Sequence, residues 1–310
     1  MISYNEALKI LNKSIIKIDN EILKSVNSLN RVCSKNINSK INYPSANNSS
    51  LDGYAVNFKD TKGVSKNKIK KLKIIGFISA GSKPFKKIIK KNEAVEIMTG
   101  GIMPPGTNLI IPVEESLLSI DKNQKYISIK KEYKKFDNVR LKGSDYKKNE
   151  LVIKKNTIIQ PNHILAFKTL AIKNIKVKKK INILFFSTGN EVSNKDNIPY
   201  WKVRNSNSQY IRNLDGNFLF NFIDGGILKD HNQKLYKSKI NEMLKSKINI
   251  IITSGAVSAG KFDYVPEVVR SFKLSNYFKS VAIRPGKPIL FAKIKNKQKA
   301  IFGLPGNPMS

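Results

Sequence analysis

From Lys178 onward, apolar runs alternate with amphipathic stretches, and no other feature of the chain constrains its fold as strongly. INILFFST (residues 181–188) reads as a strand, 208–214 as a helix, 219–223 as a strand, 232–245 as a helix and INIII (248–252) as a strand. Further strands are expected near Val281 and over 289–294. Strands alternating with helices specify a doubly wound, mostly parallel sheet, because parallel neighbours need a crossover that a helix supplies. Ahead of this region the texture differs. Ser3 and Glu6 form a capping box before Ala7, Leu8, Ile10 and Leu11, which starts a first helix. Short β-rich runs at 72–78, 94–98, 108–114 and 125–130, separated by Gly, Pro and Lys-rich turns, read as a small antiparallel β domain. Pro161 and the spacing of Ile164, Leu165, Phe167 and Leu170 give a bridging helix. The expected fold is α/β and multidomain. Residues 1–44 and 137–177 form a helical linker region, 45–136 a β-rich domain and 178–310 the α/β domain.

Composition excludes several function classes. The 310 residues are 40% hydrophobic and 25% charged, enough for real cores without metal or disulfide staples. The single Cys33 rules out an intrachain disulfide and a Cys-based zinc cluster, and fits a reducing cytoplasm. No apolar segment reaches the roughly 18–20 residues of a membrane span, so a soluble cytoplasmic chain without membrane contact is expected. The net charge of +35 invites a nucleic-acid reading, but the lysines are scattered among Asn and Ile with no interleaved aromatic platforms. That pattern reads as compositional bias. Its consequence is a raised local concentration of anionic ligands.

Three strand ends of the α/β region lead into polar loops: STGNE with Glu191, GGILKD with Asp230, and TSGAVSAGKFDYV with Asp263. In a parallel sheet such ends share one edge, so the three carboxylates are expected to converge on one crevice. Carboxylates without a His partner suit Mg²⁺ better than Zn²⁺, since hard oxygen ligands suit hard cations. In the third loop the small residues Ser254, Gly255, Ser258 and Gly260 let backbone amides approach an anion. RPGKP holds Arg284 and Lys287 on a rigid turn, a cationic fork and a point charge for an oxyanion or pyrophosphate. In GLPGNPMS, Pro305 and Pro308 fix the backbone around Gly306 and Asn307.

Taken together and in order, SLDGYAV, AVEIMTGGIMPPGTN, VRLKGSDYKKNE, STGNE, NSNS, TSGAVSAGKFDYV, RPGKP and GLPGNPMS resemble the molybdopterin molybdenumtransferase family, the molybdenum insertases that include the insertase domain of gephyrin. The resemblance implies insertion of molybdenum from molybdate into adenylylated molybdopterin, with Mg²⁺ and release of AMP. It implies that Asp52, Thr99, Glu191, Asp230 and Asp263 serve the chemistry, with Glu191, Asp230 and Asp263 on the metal. Ser206, Asn207, Ser254, Gly255, Ser258, Gly260, Arg284, Lys287, Pro305 and Pro308 would bind substrate. It further implies a homodimer in which the β domain of one subunit faces the α/β site of the other, with the pathway's adenylyltransferase and molybdoenzymes as partners. A molybdopterin adenylyltransferase-type domain and a noncatalytic molybdopterin-binding scaffold are the alternatives; the region carrying DGYA and MTGG argues against the first.

The chain departs from the family pattern at several places. Ala256 stands where the loop usually has glycine, tolerable if its φ is negative. Asn190 and Asn205 stand where Asp is common, and Arg284 replaces a common Lys. LDGNFLF (214–220) interrupts a usual helix, so a shorter one is expected. The family continues past the GNP motif with another helix and a small β domain, so the chain reads as truncated there, and a sheet face left uncovered would favour association.

Overall fold

The computed structural model describes residues 1–214, 216, 218–257 and 263–309. Two compact units emerge: residues 36–154 with 165–173, and residues 1–35 and 155–164 with 174–310.

The first unit is built on a six-stranded sheet. Its strands are β1 (Gly53–Val56), β2 (Lys70–Ile78), β3 (Glu93–Ile97), β4 (Leu109–Pro112), β5 (Ser116–Asp121) and β6 (Gln124–Ile129), in the order β4-β1-β3-β2-β6-β5. All neighbours are antiparallel except β2 and β3, which run parallel, so the sheet is mixed rather than wholly antiparallel. The reason is local: residues 79–92 form a crossover long enough to return the chain to the same end, and Phe85 from it packs beneath Gly76, where a Cβ would meet the ring at 2.9 Å. Tyr54, Val56, Leu72, Ile74, Leu109, Ile111, Ile127 and Ile129 form one core face, and Ala55, Ile78, Val95, Ile97 and Ile110 form the other. DGYA is thus a strand as well as a motif. Gly53 is obligatory within it, since a Cβ there would lie 2.2 Å from the Ile111 carbonyl oxygen.

The second unit carries the doubly wound sheet. Its strands are β7 (Ile181–Thr188), β8 (Phe220–Leu228), β9 (Ile250–Ser254), β10 (Leu274–Lys279), β11 (Leu290–Ile294) and β12 (Ala300–Leu304), in the order β8-β7-β9-β12-β11-β10. The first four are mutually parallel, and β11 and β10 close the sheet antiparallel. The α/β, mostly parallel class expected from the alternation is the class observed. The strand expected near Val281 lies earlier, at Leu274–Lys279, and Val281 makes only an isolated bridge to Ile2.

Both faces are covered. Helix α1 (Tyr4–Lys13) is capped by Ser3, whose hydroxyl accepts from the Glu6 amide while Glu6 accepts from the Ser3 amide. It packs Ala7, Ile10 and Leu11 against Phe278, Phe291, Ala300 and Phe302. The chain enters β7 by a ribbon that pairs Asn20–Lys24 with Asn174–Lys178, after helix α2 (Pro161–Thr169), whose residues divide between the two units and which is not part of this cover. Helix α3 (Ser206–Asn213) buries Ser208 and Ile211 and stops at Asn213, short as the LDGNFLF segment implied. On the opposite face, α4 (Gln233–Lys245) and α5 (Val265–Arg270) bury Tyr236, Ile240, Met243, Val265, Val268 and Val269 against Leu184, Phe186, Ile251, Leu290 and Ile301. Alternate residues of β7 therefore serve opposite faces, the period-two rule of a strand covered on both sides. Among the described residues no helix is long and apolar enough to cross a membrane.

Candidate active site

Register fixes where the loops meet. Thr188 pairs with Leu228, Ser187 with Ser254, and Ser254 with Leu304, so β7, β8, β9 and β12 end along one edge. From β7 the chain passes to β8 on one side and then to β9 on the other. That reversal opens a crevice outside the carboxyl ends of β7 and β9, the usual ligand position in such sheets.

Backbone devices shape the crevice. Gly189 has φ +125, and a Cβ on it would lie 2.4 Å from a Glu191 carboxylate oxygen, so glycine lets Glu191 fold back over the end of β7. The Thr188 hydroxyl donates to the Ser254 carbonyl at 2.9 Å and staples β7 to β9. Gly255 has φ +94; its Cβ would strike that same hydroxyl at 2.4 Å, and its amide donates to the Leu304 carbonyl at 2.8 Å. The Asn207 side chain donates to the Gly306 carbonyl at 2.9 Å, tying the first turn of α3 to the loop after β12. Ala256 has φ +55, so the negative φ that would make this alanine harmless is not what the loop adopts.

Two adjoining cavities result, sharing Thr188, Glu191, Gly306 and Asn307. The smaller, about 470 Å³, is lined by Glu191, Asp230 and Asp263 together with Gly255, Ala256 and Pro305, and among the described residues no lysine or arginine lines it. The three strand-end carboxylates thus reach one cavity, although among the described residues no group of three Asp, Glu, His or Cys side chains stands close enough to hold a metal ion unaided. The donors are oxygen only, the set a hard divalent cation takes. Beside them, burial and then the charge of Asp230 push the Tyr264 phenol up to about 12, so it stays neutral. Its hydroxyl donates to the Lys229 carbonyl at 3.4 Å. The Asp230 amide reaches the Asn190 side-chain oxygen at 3.4 Å.

The larger cavity, about 600 Å³, mixes the apolar Val192, Ile198 and Val203 with polar and basic groups. Ser206, Asn207, Ser254 and Pro308 line it, as do Ser187, Asn205, Lys202 and Arg204. Asn205, the N-cap of α3, does not cap: its side chain accepts from the Ser187 hydroxyl and donates to the Asn194 side chain at 2.8 Å. Lys202 and Arg204 were not among the residues singled out in the sequence. The loop of mixed polarity that joins the short parallel strands Val192–Ser193 and Val203–Arg204 offers no periodicity; the only available signal for the two cations was their position directly before NSNS.

The remaining expected residues fall elsewhere. Arg284 and Lys287 are exposed and line neither cavity, although their neighbour Pro288 lines the smaller one. Ser258 and Gly260 lie outside the described residues. In the β unit, Asp52 accepts from both the amide and the hydroxyl of Thr99, each at 2.7 Å. These two bonds, the amide's first, hold the Asp52 carboxyl below its ordinary range, so it is ionised at neutral pH.

A doubly wound sheet whose carboxyl edge gathers carboxylates, hydroxyls and proline-bounded turns defines an α/β enzyme for small anionic ligands. Residues 185–310 match the family model of a probable molybdopterin binding domain, and residues 2–171 match the MoeA N-terminal region, domains I and II. A molybdopterin molybdenumtransferase of Staphylococcus epidermidis is 31% identical over 309 residues, covering 99% of this chain and 71% of the relative. One from Staphylococcus aureus is 32% identical over 283 residues, covering 91% of this chain and 65% of the relative. The crystal structure of a molybdopterin biosynthesis MoeA protein from Pyrococcus horikoshii superposes with a TM-score of 0.84 at 25% identity, over all of this chain and 75% of that one. The chain belongs to the molybdopterin molybdenumtransferase family, enzymes of the transferase class.

Proposed function

We propose that the protein acts in molybdenum cofactor biosynthesis, inserting molybdenum from molybdate into adenylylated molybdopterin and releasing AMP. The observation that carries this reading is the gathering of Glu191, Asp230 and Asp263 in one oxygen-lined cavity beside a basic one, at the carboxyl edge of a sheet whose family is established. Two anions brought together repel, so a site for them must supply positive charge and hold it in place. Mg²⁺ would supply Lewis-acid neutralisation between the carboxylates and substrate oxygens, and it commonly takes only one or two protein carboxylates with the rest from water and phosphate. Glu191, Asp230 and Asp263 hold that charge; Ser206, Asn207, Ser254 and Gly255 orient the ligand; Pro305 and Pro308 keep the floor rigid. Asp52, held ionised by Thr99, contributes a further carboxylate to the reaction. The protein works in the cytoplasm as a homodimer, alongside the adenylyltransferase that makes its substrate and the enzymes that receive its product.

The test is to incubate purified protein with adenylylated molybdopterin, Mg²⁺ and molybdate while following AMP. Molybdate-dependent release that falls at least about a hundredfold in Asp263→Ala is expected, the scale typical of losing one electrostatic group in a site. No molybdate dependence, or full release by the variant, would sink the reading.

A further inference from the structure

The crevice is electrically divided. Among the described residues its smaller half carries three carboxylates and no cation, whereas its larger half carries Lys202 and Arg204 against the shared Glu191. These two cations are held but not neutralised. The Lys202 ammonium donates to the Asn190 carbonyl at 2.6 Å, and the Arg204 Nε donates to the Asp196 carbonyl at 2.9 Å. Both partners are neutral backbone oxygens. Among the described residues neither cation pairs with a carboxylate within 4.0 Å. Two of three ammonium donors and four of five guanidinium donors therefore stay available, the guanidinium ones in a planar fork that matches tetrahedral oxyanions.

Position adds to charge. Lys202 and Arg204 flank Val203, whose amide donates to the Glu191 carbonyl at 3.0 Å, so the short strand pair Val192–Ser193 with Val203–Arg204 fixes the cations relative to the loop that bears Glu191. The Lys202 bond to Asn190 fastens the same loop a second time. A ligand with a phosphate at one end is thereby oriented: its phosphate is drawn to the basic half, and the reacting end is left at the acidic half, where a divalent cation is at home. Arg284 and Lys287 line neither cavity and so are less suited to this task.

We propose that Lys202 and Arg204 form a phosphate-recognition subsite of the crevice, binding the phosphate of a phosphate ester ligand and setting its direction across the site. The identity of that ligand rests on the molybdopterin reading; the charge class does not. The probe is AMP, titrated calorimetrically into the full chain in EDTA at low ionic strength, with inorganic phosphate and adenosine as separate arms. Lys202→Met and Arg204→Gln are each expected to weaken AMP about tenfold, Arg204→Lys to recover part of the loss, and Lys287→Met to change it less than twofold. Parallel losses for inorganic phosphate, with adenosine unaffected, assign the effect to phosphate from any source; losses for AMP alone assign it to the nucleotide's phosphate. Melting temperatures within about two degrees of wild type separate these effects from misfolding. Unchanged AMP affinity in both Lys202→Met and Arg204→Gln, or a loss in Lys287→Met alone, overturns the proposal. Because this readout needs no molybdate and no turnover, it stands or falls separately from AMP release by the enzyme assay.

Discussion

Ala256 sits in the left-handed region at φ +55, directly after Gly255 at φ +94, in the loop that leaves β9 for the site. An L-residue other than Asn, Asp or Gly adopts that conformation at a cost of about 1–2 kcal/mol, because its Cβ crowds the following carbonyl. Its own carbonyl accepts from the Val265 amide at 3.3 Å, which anchors the end of the loop to the start of α5 and holds the conformation. Ala256→Gly is therefore expected to raise unfolding stability by about 1 kcal/mol, less whatever glycine costs through added freedom in the unfolded chain. Urea unfolding with an unchanged slope measures it, and an unshifted or lowered midpoint would show that the alanine is accommodated without strain. The sequence disclosed that a small residue stood where glycine is usual; it could not disclose the sign of φ, which tertiary anchoring sets. The cations illustrate the same limit. RPGKP reads as an anion fork because its charges straddle a rigid turn, but which cations line a crevice depends on strand order, so nothing in the sequence announced Lys202 and Arg204 in the larger cavity.

At the scale of elements, periodicity found most of the doubly wound sheet: β7, β8, β9, β11 and α4 arise from clean apolar runs or helical spacing. Strands β12, β1 and β5 went unread. β12 is punctuated by Gly303, ordinarily a sign of a turn, but here the missing side chain is required because a Cβ would lie 2.4 Å from Val257 Cγ1. Gly53 plays the same part in β1, while β5 exposes Leu117, Leu118 and Ile120 and so lacks the alternation that marks a half-buried strand. Gly303→Ala follows from this geometry. The added methyl must displace Val257 and with it the loop bearing Ala256, costing about 1–3 kcal/mol as overpacking does. Thermal and urea unfolding read the loss, and stability within about 0.5 kcal/mol of wild type would show that Val257 has room to move.

For the molecule as a whole, 57 basic residues against 22 acidic ones create a positive field that attracts anions of every kind. Most of these lysines are exposed and scattered, so their attraction is screened once the Debye length shortens to about 8 Å at physiological ionic strength. A fluorescent DNA duplex should be retained at about 0.02 M salt and released by about 0.15 M. Retention above about 0.5 M would instead reveal an organised nucleic-acid face. The subsite at Lys202 and Arg204 differs in kind, because backbone carbonyls fix its two cations at one cavity, whereas the scattered lysines offer no common geometry.

Strand order also dictates when the second unit can form. β12 lies fourth of six, between β9 and β11, yet every other strand of that sheet precedes it in the chain. Until Ala300–Leu304 has been synthesised, β9 and β11 each present a bare edge, and α1, the first element made, lacks Ala300 and Phe302 from the floor it packs upon. Two segments far apart in the chain, α1 and β12, therefore complete one core together. Between the making of β11 and that of Ala300–Leu304 the growing chain carries two unpaired hydrophobic edges, the condition under which nascent sheets pair wrongly with their neighbours. Correct pairing of the finished sheet thus turns on how promptly Ala300–Leu304 inserts between β9 and β11.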